Sequence, residues 1–294
     1  MKIILVATAK GKNVVFVDDA LQVHTLEEAV RLAKSEELAN IHVVQKGGGV
    51  YLRSSRNVPQ KDQLEQLAVS SHQLFNSVNN IRHAVSTPVV ARYLQLYDYT
   101  LQKDGGSLIV IEGKVKITKE AAKAKLVAHK DYIFDAAKKF NVDPYLLGAI
   151  VIDEITRFGP FEDITDLLAG YFVGVDTSAG IAQVKTKTAR GLIRDGYYNP
   201  NPNDNKLSPE NIRKASLSHI YTYVKEPEHS IFFAAAKIRS VIDEWGKYVD
   251  LTSKPEIIAT LYSLYKEPHA HPEPNERGLQ IAGEFYQLAK AWLQ

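Results

Sequence analysis

At ~150 residues per domain, a chain of 294 residues has room for about two domains. Hydrophobic residues make up 45% and charged residues 24%, which excludes a disordered chain and supplies apolar surface for a sizeable core. Lys and Arg total 36 against 34 Asp and Glu, so the net charge of +2 lacks the concentrated basic excess of a nucleic-acid binder. With no cysteine, the chain has no disulfide, no thiolate metal site and no Cys nucleophile.

The amino terminus, Met1 to Lys10, carries one lysine and Ala7-x-Ala9, but its apolar run is too short for a signal-peptide core. It reads as a first β-strand. No run of ~18 apolar residues is present, so no integral membrane segment is expected. The expectation is a protein made in the cytoplasm without a clear signal peptide.

Ile3 to Ala9 and Val14 to Val17 are rich in β-branched residues and flank Lys10-Gly11-Lys12-Asn13, a hairpin signal. Thr25-Leu26-Glu27-Glu28 has capping-box spacing and starts a helix through Ala29, Val30 and Leu32. Ile41 to Val44 and Val50 to Leu52 predict two more strands around Gly47-Gly48-Gly49. No helix or Lys-Ser/Thr follows these glycines, so a hairpin fits better than a P-loop. The order β-β-α-β-β predicts a small α+β module over residues 1–70. Ile41-His42-Val43-Val44, Gly47 to Tyr51-Leu52-Arg53-Ser54 and Asp62-Gln63-Leu64 resemble a small bacterial domain of unknown function, DUF3892. That resemblance implies no chemistry.

Residues 71–127 read as a helical linker region with a β-hairpin. His72, Phe75, Ile81 and Val85 stand among its apolar positions, and Thr87-Pro88 breaks the helical run. Asp104-Gly105-Gly106 ends a helix. Ser107 to Ile111 and Lys114 to Ile117 then flank Glu112-Gly113 as hairpin strands. From Thr118 onward the pattern is helical, and residues 128–294 are expected to form a mainly α-helical domain. Polar loops interrupt it at Asn199 to Asn205 and at Pro268 to Pro274.

Within that domain Asp143-Pro144 is a helix start and Gly159-Pro160 a stop. Leu147, Ile150, Val151, Glu154 and Phe158 share one helical face, so Glu154 projects from an apolar stripe. Arg157 lies four residues from Asp153, the natural spacing for a helical salt bridge, and only three from Glu154. A carboxyl group among apolar residues is what a glycosidase general acid needs, because it must hold a proton near neutral pH. Further along, Asp176, Thr177 or Ser178 is positioned to cap a helix running through Ala189, with Gly180 in its first turn marking a close backbone approach.

Ala149-Ile150-Val151-Ile152-Asp153-Glu154 and Ser178-Ala179-Gly180-Ile181-Ala182-Gln183-Val184-Lys185-Thr186-Lys187-Thr188-Ala189 together resemble the lysozyme-like superfamily, in its lytic transglycosylase and goose-type lysozyme branch. The resemblance spans about residues 128–290. It implies a lysozyme-like domain that cleaves peptidoglycan between N-acetylmuramic acid and N-acetylglucosamine, with Glu154 as general acid and no cofactor. It further implies that Ser178, Gly180, Ile181 and Gln183 line the glycan groove, and that Tyr262 in Ile258-Ala259-Thr260-Leu261-Tyr262-Ser263 faces the glutamate. The departures are Ile155 in place of serine, one extra residue before Phe158, and Ser263 in place of asparagine.

Two reactions stay open. A transglycosylase needs one carboxylic acid, while an inverting hydrolase needs a second carboxylate. Asp176 is the first candidate for that second group, also readable as a helix cap, and Asp163 and Asp166 follow. Tyr197, Tyr198, Tyr221, Tyr223 and Tyr265 offer flat faces for sugar rings or serve ordinary half-buried packing, and only Tyr262 is assigned to the site. His269-Ala270-His271 with Glu273 is read as a solvated turn, so no metal is expected. A substrate outside the cytoplasmic membrane implies specialised delivery, as for an antibacterial effector with a secretion-machine component or an immunity protein as partner. The alternative is a non-catalytic glycan-binding or structural protein.

Overall fold

The computed structural model describes every residue except 80, 169, 170, 172–177 and 265, and leaves out the side chains of 76, 78, 79, 81, 82 and 104. Asp176, Thr177 and Tyr265 therefore lie outside the described residues. The fold is mixed α+β, with a small β-rich N-terminal region followed by a mainly helical one. It divides into two compact units, residues 1–118 with 157–172, and residues 119–156 with 173–294.

In the first unit β1 (Ile3–Ala9) and β2 (Lys12–Asp18) pair antiparallel, and β3 (Val23–Thr25) adds to β2. Helix α1 (Leu26–Lys34) opens with a complete capping box: the Glu28 amide donates to Thr25 Oγ1, and Glu28 accepts from the Thr25 amide. The hairpin β4 (Ile41–Lys46) and β5 (Gly49–Ser54) turns at Gly47-Gly48, both at positive φ. β6 (Ala68–Ser70) then lies parallel to β1, giving the sheet order β3-β2-β1-β6. Helices α2 (Ser71–Asn79), α3 (Ile81–Ser86) and α4 (Pro88–Asp104) follow, with Gly105 ending α4 in the left-handed region. The hairpin β7 (Leu108–Ile111) and β8 (Val115–Thr118) closes this stretch.

Helices α5 (Lys119–Val127), α6 (Lys130–Phe140) and α7 (Pro144–Phe158) come next. Asp143 caps α7, its Oδ1 accepting from the amides of Tyr145 and Leu146 at 2.7 and 3.3 Å. After α7 a 3₁₀ turn at Gly159–Phe161 leads into α8 (Glu162–Leu168). Asp163 and Asp166 are thus helical.

Two buried clusters explain the sheet. Val6, Phe16, Leu32, Leu52 and Leu64 belong to one, and Leu5, Val15, Leu74, Tyr93, Phe161 and Ile164 to the other. Residues beyond 70 take part in the second cluster. The order also differs from β-β-α-β-β: β3 is an extra strand, and β4–β5 forms its own sheet.

The second unit continues with β9 (Ser178–Ala179), β10 (Val184–Lys185), α9 (Thr186–Arg194), α10 (Leu217–Val224), α11 (Pro227–Trp245) and α12 (Pro255–Ser263). α13 (Glu276–Gln280), a π-turn at Ile281–Phe285 and α14 (Tyr286–Leu293) complete it. α7 is its central helix. From Leu146 to Thr156 every residue is buried, on all faces and not only along the expected stripe. Leu147, Ile150 and Val151 are fully buried, each contributing about 1.5–3 kcal/mol by leaving water. A Cβ at Gly148 would press on Leu293 and Ala289, so the glycine lets the carboxyl-terminal helix lie close. Among the described residues no helix is long and apolar enough to cross a membrane.

Candidate active site

Glu154 sits near the end of α7 with 7% of its surface exposed, and Asp153 beside it has 1%. Both carboxylates meet Arg277 of α13. Arg277 Nε donates to Asp153 Oδ2 at 2.8 Å, Nη2 donates to the same oxygen, and Nη2 also donates to Glu154 Oε1 at 2.6 Å. Sequence spacing left Glu154 the less clearly paired of the two; in the structure it shares a cation. Arg157 instead donates to Glu112 at 3.5 Å in the first unit.

Arg277 is fixed locally. Asn275 caps α13 by accepting from the Gly278 amide at 2.8 Å, and its own amide donates to Thr260 Oγ1 at 3.0 Å. A Cβ at Gly278 would collide with Thr260 and the Glu256 carbonyl, so α13 lies directly on α12. Burial opposes the charge on Arg277, but the carboxylates of Asp153 and Glu154 outweigh it and hold the guanidinium charged.

The segment from Ser178 to Ala189 is not one helix. Gly180 (φ +67°) and Gln183 (φ +47°) both adopt left-handed backbone, turning β9 back onto β10 before α9 begins. Ser178 therefore does not open α9, whose N-cap is Lys185, and Asp176 and Thr177 lie outside the described residues. Ser230 of α11 clamps this turn. Its hydroxyl accepts from the Ala182 amide at 3.1 Å and donates to the Ala179 carbonyl at 3.4 Å. A side chain at Gly180 would run into Ser230 and the Val224 carbonyl. Ser178 is buried and Ile181 half-buried, and Gln183 Nε2 donates to the Gly180 carbonyl at 2.9 Å. Gln183 Oε1 is buried with no hydrogen-bond partner among the described residues.

Tyr262 of α12 joins this turn to the carboxylates. Its hydroxyl donates to the Ala182 carbonyl at 3.1 Å. Burial raises the phenol well above its ordinary value, and the charge of Glu154 raises it further. Lys237 of α11 lies over the Tyr262 ring, its Nζ 4.2 Å from the centroid. Desolvation lowers that ammonium to about 8, against the pull of Glu154 and with repulsion from Arg277 and Lys185. Tyr262 thus braces the turn with its hydroxyl and meets a cation with its ring.

Sequence reasoning singled out Glu154, the turn and Tyr262, but missed Arg277, Lys237 and Ser230. Signals for the first two were present. An arginine in the first turn of a helix opposes the macrodipole and so implies a carboxylate elsewhere. Lys237 follows Phe233 by four positions on the buried stripe of α11, as Glu154 does Ile150 on α7. That helix runs from Pro227 to Trp245.

Tyr198, His269 and His271 have partners of their own. Tyr198 donates to or accepts from His229 Nδ1 at 2.7 Å and meets Phe233 edge-on. His269 meets Trp245 edge-on, and the His271 amide donates to His269 Nδ1 at 3.3 Å. Among the described residues no group of three His, Asp or Glu side chains is arranged to hold a metal.

In chemical terms the arrangement offers a buried carboxyl group that shares one guanidinium with a second carboxylate. Asp153 gives Arg277 a second anchor, so Glu154 can take up a proton without stranding a buried cation. Comparison with known proteins finds no matching family model, no matching curated protein and no matching solved structure.

Proposed function

We propose that this protein cleaves peptidoglycan glycan strands between N-acetylmuramic acid and N-acetylglucosamine, with Glu154 as the general acid and base. The observation that carries the reading is the hydrogen bond from Tyr262 to Ala182 beside Glu154. It brings the three sequence-distant segments that resemble lytic transglycosylases into one neighbourhood. In this reading the neutral Glu154 protonates the departing glycosidic oxygen. The resulting carboxylate then takes the proton of the attacking hydroxyl, either the 6-hydroxyl of the same muramoyl residue or water. Arg277 stays on Asp153 through the proton transfer. Such a protein acts in the periplasm or cell wall, reached by specialised delivery, and an immunity protein is the matching partner.

A second reading has its own observation. Arg277 holds Glu154 Oε1 at 2.6 Å, which favours the charged carboxylate and suits a non-catalytic glycan-binding protein. Mass spectrometry of soluble products from peptidoglycan sacculi separates the readings, using the protein and Glu154→Gln. Anhydro-muropeptides from the unaltered protein alone mean a transglycosylase, and reducing-end products alone mean a muramidase. Folded protein that binds sacculi and releases neither supports the second reading and overturns the first.

A further inference from the structure

Away from Glu154, the outer face of α9 carries Lys187, Arg190 and Arg194 at spacings of three and four residues. Like charges so placed weaken a helix. Together with Arg213 from the segment before α10 they surround a cavity of about 190 Å³, floored by Gly191 and the buried Ile212. Arg194 gives a fork to Asp195 at 2.7 and 2.9 Å. Among the described residues neither Arg190 nor Arg213 has a hydrogen-bonded carboxylate. A neighbouring hollow of about 400 Å³, lined by Lys206, Asn211 and Lys214, continues the same character along the same segment.

Gly191 is the second, independent observation. It lies in the interior of α9, where glycine costs stability relative to alanine. Its φ is not positive, and a Cβ built on it meets nothing within 4 Å. Neither backbone conformation nor internal packing calls for glycine there. What it provides is an open floor beneath four cations.

We propose that this cavity binds a phosphate group of a small or polymer-borne ligand. Arginine forks match phosphate oxygens in pairs, and Arg190 and Arg213 bring two such forks to one cavity, which suits a phosphate better than a single carboxylate. The site is independent of Glu154 and of the proposed cleavage.

The test is calorimetric titration of the full chain with inorganic pyrophosphate, with glycerol phosphodiester and with sulfate at matched ionic strength. The expected result is saturable pyrophosphate binding that Arg190→Gln weakens about tenfold or more. Gly191→Ala gives the sharper discrimination: it raises the melting temperature while weakening binding, which general charge attraction does not explain. Equal binding of the phosphodiester points to a polymer-borne phosphate, and its failure beside pyrophosphate binding to a free or terminal one. No saturable binding, binding of sulfate equal to that of pyrophosphate, or binding unchanged in both variants overturns the proposal. Glu154→Gln retains the binding whatever becomes of its activity on sacculi.

Discussion

Arg277 and Glu154 meet across 123 positions of sequence, Nη2 donating to Oε1 at 2.6 Å, while Nε of the same guanidinium holds Asp153. Removing the arginine leaves two buried carboxylates without this cation, and breaking a buried pair from one side is strongly destabilising. Arg277→Met is expected to lower unfolding stability by about 3–5 kcal/mol, read from urea midpoints at constant slope. Arg277→Lys keeps the charge but loses the fork, so it should recover only part of that loss. A loss below about 1 kcal/mol for the methionine variant would mean that the carboxylates are satisfied without it.

The two carboxylates should not be equivalent. Asp153 is the more buried and takes two of the three hydrogen bonds from Arg277, and Glu154 takes one. Asp153→Asn is therefore expected to destabilise more than Glu154→Gln, by about 1 kcal/mol or more. Equal costs would place the anchor of Arg277 on both residues alike. The comparison also separates folding from the proposed chemistry: if the proposed cleavage holds, Glu154→Gln abolishes product formation while remaining the milder variant in melting.

At Gly180 the backbone and the packing give one answer. A φ of +67° disfavours any side chain, and a Cβ would meet Ser230 and the Val224 carbonyl. Gly180→Ala is expected to cost at least about 2 kcal/mol, since the obstruction is partly backbone and cannot rotate away. Ser230→Ala should cost about 1–3 kcal/mol by leaving the Ala182 amide unpaired. Together they ask whether the turn is held from α11; two small effects in thermal melts would show that it is not.

The same turn marks where the sequence stops being legible. Thr25 and Glu28, Gly105, and Asp143-Pro144 announce helix ends through groups within four residues of one another, and each cap forms as its spacing predicts. Ser178 to Ala189 contains residues compatible with a helix, and what bends it is remote: Ser230 of α11 and Tyr262 of α12 bind its main chain. Glu154 could be placed on α7 from periodicity, but its cation lies on a five-residue helix after a proline-rich loop. Local rules see caps and faces. They do not see which distant residue a buried carboxylate faces.

Tyr262→Phe isolates the bond to the turn. The ring and its contact with Lys237 persist, and only the hydroxyl that donates to the Ala182 carbonyl is lost. The expected stability loss is about 1–2 kcal/mol. If the proposed cleavage holds, the rate on sacculi should fall by more than this loss explains at a temperature where the variant is fully folded. An unchanged rate would confine Tyr262 to a structural role.

Lys237 should govern part of the pH dependence of stability. Its ammonium falls from an ordinary 10.5 to about 8, chiefly through desolvation. The unfolded chain therefore binds more protons than the folded one between those values, and stability from this group rises with pH across that window. Below it, both states are charged and the fold carries the desolvation cost in full. Lys237→Met removes that cost but also a cation near Glu154, which has Arg277 as a direct partner. The variant is thus expected to be more stable than the parent near neutral pH, with the advantage shrinking as pH rises through the window. Chemical unfolding at a series of pH values reads the difference. A gap that is constant with pH, or that widens toward the alkaline side, would mean that Lys237 does not titrate at the lowered value.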